Sequence, residues 1–151
     1  MKPVIPSLTA LLTAPIHSVL AFACLIAPGC VVYTDPPHRE PNYAPELTYA
    51  DAGCYWDYNY GDYVWYFDAD ATDPNGAGDV VAVYADVYDD YTGEWIDGFD
   101  LVWEGGITWY SAWVGSTTYL DCTVPMYVVD ITAVDRGDLA DVVTVAPFQE
   151  L

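Results

Sequence analysis

Histidine, the side chain most often used to move protons, occurs twice, at His17 and His38, and everything after residue 38 lacks it. Ser/His/Asp and Cys/His nucleophilic schemes and the common zinc sites therefore have no imidazole to draw on in the acidic remainder of the chain. Carboxylates are the abundant alternative, with 23 Asp and Glu against 3 Lys and Arg. Adjacent pairs such as Asp89 and Asp90 have the chemistry of a glycosidase acid and nucleophile. At this acid density such neighbours arise by chance, and a domain of about 100 residues leaves little room for a substrate cleft. The chain reads as a non-enzyme.

The densest run of oxygen donors spans residues 68–79, where Asp68, Asp70, Asp73 and Asp79 join Asn75. Hard cations take about six to eight oxygens, so this set is the expected metal site, with calcium as its cofactor. The spacing departs from an EF-hand: no Glu closes the loop, and Pro74 stands where that motif has no place for it. Asp73-Pro74-Asn75-Gly76 is also a good β-turn, with Asp capping, Pro fixing φ and Gly accepting a positive one. This plainer reading carries more weight, and the two stand side by side.

Aromatic rings are the third resource. Tyr55, Trp56, Tyr58, Tyr60 and Tyr63 crowd the approach to an apolar run. With Trp65 and Phe67 pointing inward, alternation sends Val64 and Tyr66 outward as an exposed apolar strip. Trp56, Tyr58 and Tyr66 are the expected ligand contacts, for a sugar ring or a partner protein.

The elements that must position these groups are strands. A net charge of −20 removes the clustered Lys and Arg that nucleic acid or an anionic membrane surface requires. A composition that is 54% hydrophobic, with 14 Tyr and 6 Trp, still demands a folded core. After Leu47 the pattern alternates at period two between Gly, Asn and Asp breaks. Strands are expected over 64–70, over 80–88 with Val81, Val83, Ala85 and Val87 buried, and over 99–103 and 108–114 as a hairpin across residues 104–107. Two more, 127–134 and 142–146, flank a turn at residues 135–138. Such short, evenly spaced strands predict an all-β, two-sheet sandwich.

Residues 1–30 differ in kind, with Lys2, no acid and a largely apolar stretch from Val4 to Ala27 that Pro3, Pro6, Pro15 and Pro28 would interrupt as a spanning helix. The run ends at Ala27-Pro28-Gly29-Cys30, which resembles a bacterial lipoprotein signal. That resemblance implies removal of residues 1–29, lipid on Cys30 and a place in the cell envelope. Pro28 departs from the usual lipobox, and Leu20-Ala21-Phe22-Ala23-Cys24 fits its letters better but leaves Leu25-Ile26-Ala27 outside the removed segment. With Cys30 processed, Cys54 and Cys122 remain as one pair. Val31 is not the Asp that retains such proteins in the inner membrane, which favours the outer one. The Pro-rich stretch through Glu46 reads as a flexible tether over 30–46, ahead of a domain over 47–151.

Within that domain, Val128-Val129-Asp130-Ile131-Thr132-Ala133-Val134-Asp135, a Gly-containing turn and Asp141-Val142-Val143-Thr144-Val145 resemble the last two strands of bacterial immunoglobulin-like domains. In that topology the strands that follow Cys54 and Cys122 run in one direction in opposite sheets. The two sulfurs should meet at one end and form a disulfide, which export to an oxidising compartment allows to persist. The combined expectation is an envelope-anchored lipoprotein presenting a binding or structural β-sandwich. Its partners would be the membrane, through the lipid, and envelope proteins or glycans. The competing expectation is a calcium-stabilised carbohydrate- or protein-recognition domain.

Overall fold

The computed structural model describes residues 40–149; the expected signal segment, Cys24, Cys30 and the tether up to residue 39 lie outside them. Nine strands are present among the described residues: β1 (Glu46–Asp57), β2 (Asp62–Thr72), β3 (Val80–Asp89), β4 (Trp95–Asp100), β5 (Val102–Gly105), β6 (Thr108–Val114), β7 (Tyr127–Asp135), β8 (Ala140–Val145) and β9 (Phe148–Gln149). They form a five-stranded sheet in the order β5-β6-β2-β1-β9 and a four-stranded sheet in the order β4-β3-β7-β8. Neighbours are antiparallel except β1 and β9, which pair parallel. Read in chain order as A, B, C, C′, D, E, F and G, β1 to β8 give sheets DEBA and C′CFG, the strand order of an immunoglobulin-like sandwich.

Alternation explains the core. Trp65, Phe67, Ala69 and Ala71 face inward from β2, and Val129, Ile131 and Ala133 face them from β7. Phe67 stacks on Phe99 of β4 with ring centroids 4.7 Å apart, and Trp65 meets Tyr127 edge-on at 5.7 Å. Tyr127 opens β7, and its hydroxyl accepts the Asp121 N–H at 3.1 Å, the corner tie typical of such sandwiches.

Four local expectations change. Val81 is exposed and Val80 buried, because a bulge between Val80 and Ala82 in the pairing with β7 shifts the register by one residue; Val83, Ala85 and Val87 are buried as expected. The strand expected over 99–103 is broken at buried Leu101, where the chain crosses from β4 in one sheet to β5 in the other. β1 is a strand that sequence reasoning leaves unassigned, since Ala50-Asp51-Ala52-Gly53 has weak strand propensity. It forms by pairing with β2 over its whole length. The domain also begins before residue 47: Pro45 is buried, and Asn75 holds the Tyr43 N–H and the Pro41 carbonyl.

The Cys54–Cys122 disulfide is present, with Cα atoms 6.0 Å apart. Cys54 lies inside β1 rather than ahead of the first strand, paired across the sheet with Trp65, so the bridge covers the core's largest side chain at one end. Closing a loop of sequence separation 68 restricts the unfolded chain. Replacing both cysteines by Ala is expected to cost about 4 kcal/mol on the chain-entropy model, measured by urea unfolding. The bulge gives a second check: Val81→Ser should change stability by less than about 0.5 kcal/mol, whereas Val80→Ser should cost more than about 1 kcal/mol.

Candidate functional site

Alternation places charge where the core would be expected to end. The inward row of β2 reaches Asp73 at its next step beyond Ala71, and the inward row of β7 reaches Asp135 beyond Ala133. Asp73 is 7% exposed and Asp135 1%. Half-buried Asp79 joins them, and one oxygen from each carboxylate lies within 4.8 Å of the other two.

Local sequence accounts for each position. Asp73 opens the expected turn: its carbonyl accepts the Gly76 N–H at 2.9 Å, its Oδ1 accepts the Asn75 N–H at 2.6 Å, and Gly76 takes φ 122°. Asp135 closes β7: its Oδ1 accepts the N–H groups of Gly137 at 2.8 Å and Leu139 at 2.7 Å, and its Oδ2 accepts Asn42 Nδ2 at 2.7 Å. The Asp79 N–H donates to the Gly76 carbonyl at 2.8 Å, and its own carbonyl accepts the Arg136 N–H at 3.0 Å, lacing the β2–β3 loop to the β7–β8 turn. Arg136 is the one Lys or Arg among the described residues. Its Nε stands 3.9 Å from Asp79 Oδ1 on a side chain that is 71% exposed, a contact worth little. Asp73 Oδ2 is buried and has no hydrogen-bond partner.

Of the five residues expected to hold a metal, Asp73 and Asp79 meet here. Asn75 sits in the same turn with its amide engaged by Tyr43 and Pro41. Asp68 and Asp70 lie on the outward side of β2 and point away from the cluster. Asp135 is missing from the sequence expectation, yet its signal is legible: it stands at the inward position of a strand whose other inward residues are apolar.

The outward face of the five-stranded sheet is a mosaic of tyrosines and acids. Tyr66 lies across Gly53, where a methyl group would come within 2.6 Å of its ring, so a larger residue here would displace that ring. Its hydroxyl donates to Asp51 Oδ2 at 3.2 Å, and the Tyr49 hydroxyl reaches the same oxygen at 3.4 Å. Burial, then the Asp51 charge, pushes the Tyr66 phenol up to about 12. Burial first, and then neighbouring Asp70 and Asp51, raise the Asp68 carboxyl above its ordinary value. The exposed apolar strip expected here is absent: Val64 is buried between its cross-strand neighbours Tyr55 and Val114, and Tyr66 is half-covered.

The three expected ligand contacts do not share a surface. Trp56 packs edge-on against Tyr63 at 5.1 Å, on the opposite side of the sheet from Tyr66, and Tyr58 projects from the β1–β2 turn at 91% exposure. The aromatic pair that does line a concavity is Trp103 and Trp109, directly opposite one another in β5 and β6. With Ala77, Gly78, Val80 and Gly106 they enclose a cleft of about 270 Å³. Trp103 Nε1 donates to the Gly106 carbonyl at 3.2 Å, which fixes that indole. Sequence reasoning places both residues in one hairpin without linking them to the β2–β3 loop, because that proximity exists only once the sheets are packed.

The fold and these sites define an acidic immunoglobulin-like sandwich with a buried carboxylate cluster beside an indole-lined cleft. No family model, curated protein or solved structure matches the chain.

The raised Asp68 carboxyl has a pH consequence. A carboxyl that holds its proton more tightly in the folded than in the unfolded chain costs stability once ionised, so this cost is absent below the unfolded value and complete above the folded one. Asp68→Asn is therefore expected to raise Tm by about 2 °C at neutral pH, with the gain vanishing at acid pH, as read by calorimetry across that range.

Proposed function

We infer that the chain is an exported, lipid-anchored envelope protein whose sandwich is a non-catalytic recognition module. Its ligand is an uncharged, ring-shaped group, a saccharide unit of an envelope glycan, taken up in the Trp103–Trp109 cleft. The observation that carries this reading is the lining of that cleft: two indoles, three small residues and a valine, with no acid, base or nucleophile among them. Indole faces offer large, rigid apolar area to the C–H face of a sugar, and the small residues let the ring approach the backbone. A volume below the range of about 300–1,000 Å³ usual for drug-sized ligands suits a single ring. The charge of −20 disfavours anionic glycans and nucleic acid alike.

The envelope address rests on Lys2, the apolar stretch, Cys30 and the Pro-rich segment after it. It is supported by the Cys54–Cys122 disulfide, a bond that persists in oxidising compartments.

Binding of neutral oligosaccharides to the full chain, on an array and then by titration, is the test. Trp103→Ala removes a largely exposed indole and should weaken binding by about tenfold or more without lowering Tm. Binding that is absent, or indifferent to Trp103→Ala and Trp109→Ala, would overturn the cleft as the recognition surface. The address has its own check in the intact mass of membrane-extracted protein, expected to begin at an acylated Cys30. An unlipidated chain retaining residues 1–29 would remove it.

A further inference from the structure

We propose that Asp73, Asp79 and Asp135 form a calcium site that fastens the β2–β3 loop to the end of β7. The inference does not require the tryptophan cleft to bind anything.

Three carboxylates within 4.8 Å of one another, two of them at least nine-tenths buried, repel strongly where water cannot screen them. Such a group is stable when something positive stands among its oxygens. Among the described residues the one cationic side chain is Arg136, exposed and 3.9 Å from Asp79, a single weak contact for three carboxylates. Asp135 accepts three hydrogen bonds and donates none, the pattern of a carboxylate oriented by its surroundings. The independent sign of a ligand is Asp73 Oδ2, a buried oxygen with no hydrogen-bond donor, while its partner Oδ1 is held by the Asn75 N–H. Buried carboxylate oxygens without donors are costly, and a metal ion removes that cost.

The donor set selects the metal. All three ligands are hard oxygens, with no imidazole and no free thiol in the cluster, which excludes the usual zinc and copper preferences. Two carboxylates from one loop and a third from a strand end, the rest of the shell left to water, suit the flexible coordination of calcium better than the strict octahedron of magnesium. Modules working outside the cytoplasm bind calcium at about 0.1–1 mM, and a site of this modest charge belongs in that range.

The test is thermal unfolding of the full chain after chelation, then with about 10 mM calcium, magnesium or sodium at matched ionic strength, alongside equilibrium dialysis against calcium. Calcium should raise Tm by about 5 °C or more beyond the sodium control, with about one ion bound per chain. Asp79→Asn, chosen because Asp79 is the least buried member, should abolish both the shift and the bound ion. Asp68→Asn, on the outer face, should keep both. A calcium response no larger than that of sodium, or one surviving Asp79→Asn, would overturn the site. An equal response to magnesium would overturn the assignment to calcium. Dialysis of the unaltered chain decides the matter should Asp79→Asn fail to fold, since no bound calcium there overturns the proposal outright.

Discussion

Two apolar rows, one on β2 and one on β7, meet across the sandwich, and every other feature depends on their burial. Trp65, Phe67, Ala69 and Ala71 against Val129, Ile131 and Ala133 supply the apolar interior that holds the two sheets together. The rows also fix which way everything else points. Because side chains alternate, burying Phe67 commits Tyr66 and Asp68 to the outer face, and burying Ala133 commits Asp135 to the inside. Charge enters the interior here as the continuation of a hydrophobic pattern by two aspartates, at the place where loops can still bring N–H groups to meet them.

The two ends of this core are closed by different chemistry. At one end Cys54 and Cys122 join β1 to the approach of β7 covalently, over Trp65. At the other, the ends of β2 and β7 are held by turn hydrogen bonds and by the Asp79–Arg136 backbone contact, around carboxylates that repel one another. The β2–β3 loop belongs to both sites: Asp79 faces the carboxylates while Ala77, Gly78 and Val80 wall the cleft. Whatever steadies the carboxylates also sets the shape of that wall.

Much of this was legible in the residues. Period-two alternation revealed β2, β3, β6, β7 and β8, and the turn at residues 73–76 was readable from its Asp, Pro, Asn and Gly. Pairing of Cys54 with Cys122 was expected from cysteine parity and from the resemblance to immunoglobulin-like domains. What stayed hidden has physical causes. β1 is written in small and acidic residues whose strand character comes from its partner, and its glycine makes sense only beneath the Tyr66 ring. The bulge that exchanges Val80 for Val81 leaves no trace in hydrophobicity, since both are valine. Among site residues, carboxylates close in sequence were separated by alternation, Asp68 and Asp70 to one face and Asp73 to the interior, while Asp135 arrived from a strand over 60 residues away. Local spacing could not show a cluster that exists only because two sheets pack.

The position of the bridge also determines how the domain bears load. A pull on the two chain termini would strip β1 from Glu46 only as far as Cys54 before tension passed through sulfur to Cys122 and on into β7. Strands β2 to β6 lie within the covalent loop and would be bypassed, so the reach of the molecule under traction is shorter than its residue count suggests. At the uncrosslinked end the N-terminal segment joins the sandwich through Asn42 and Tyr43, by hydrogen bonds rather than sulfur.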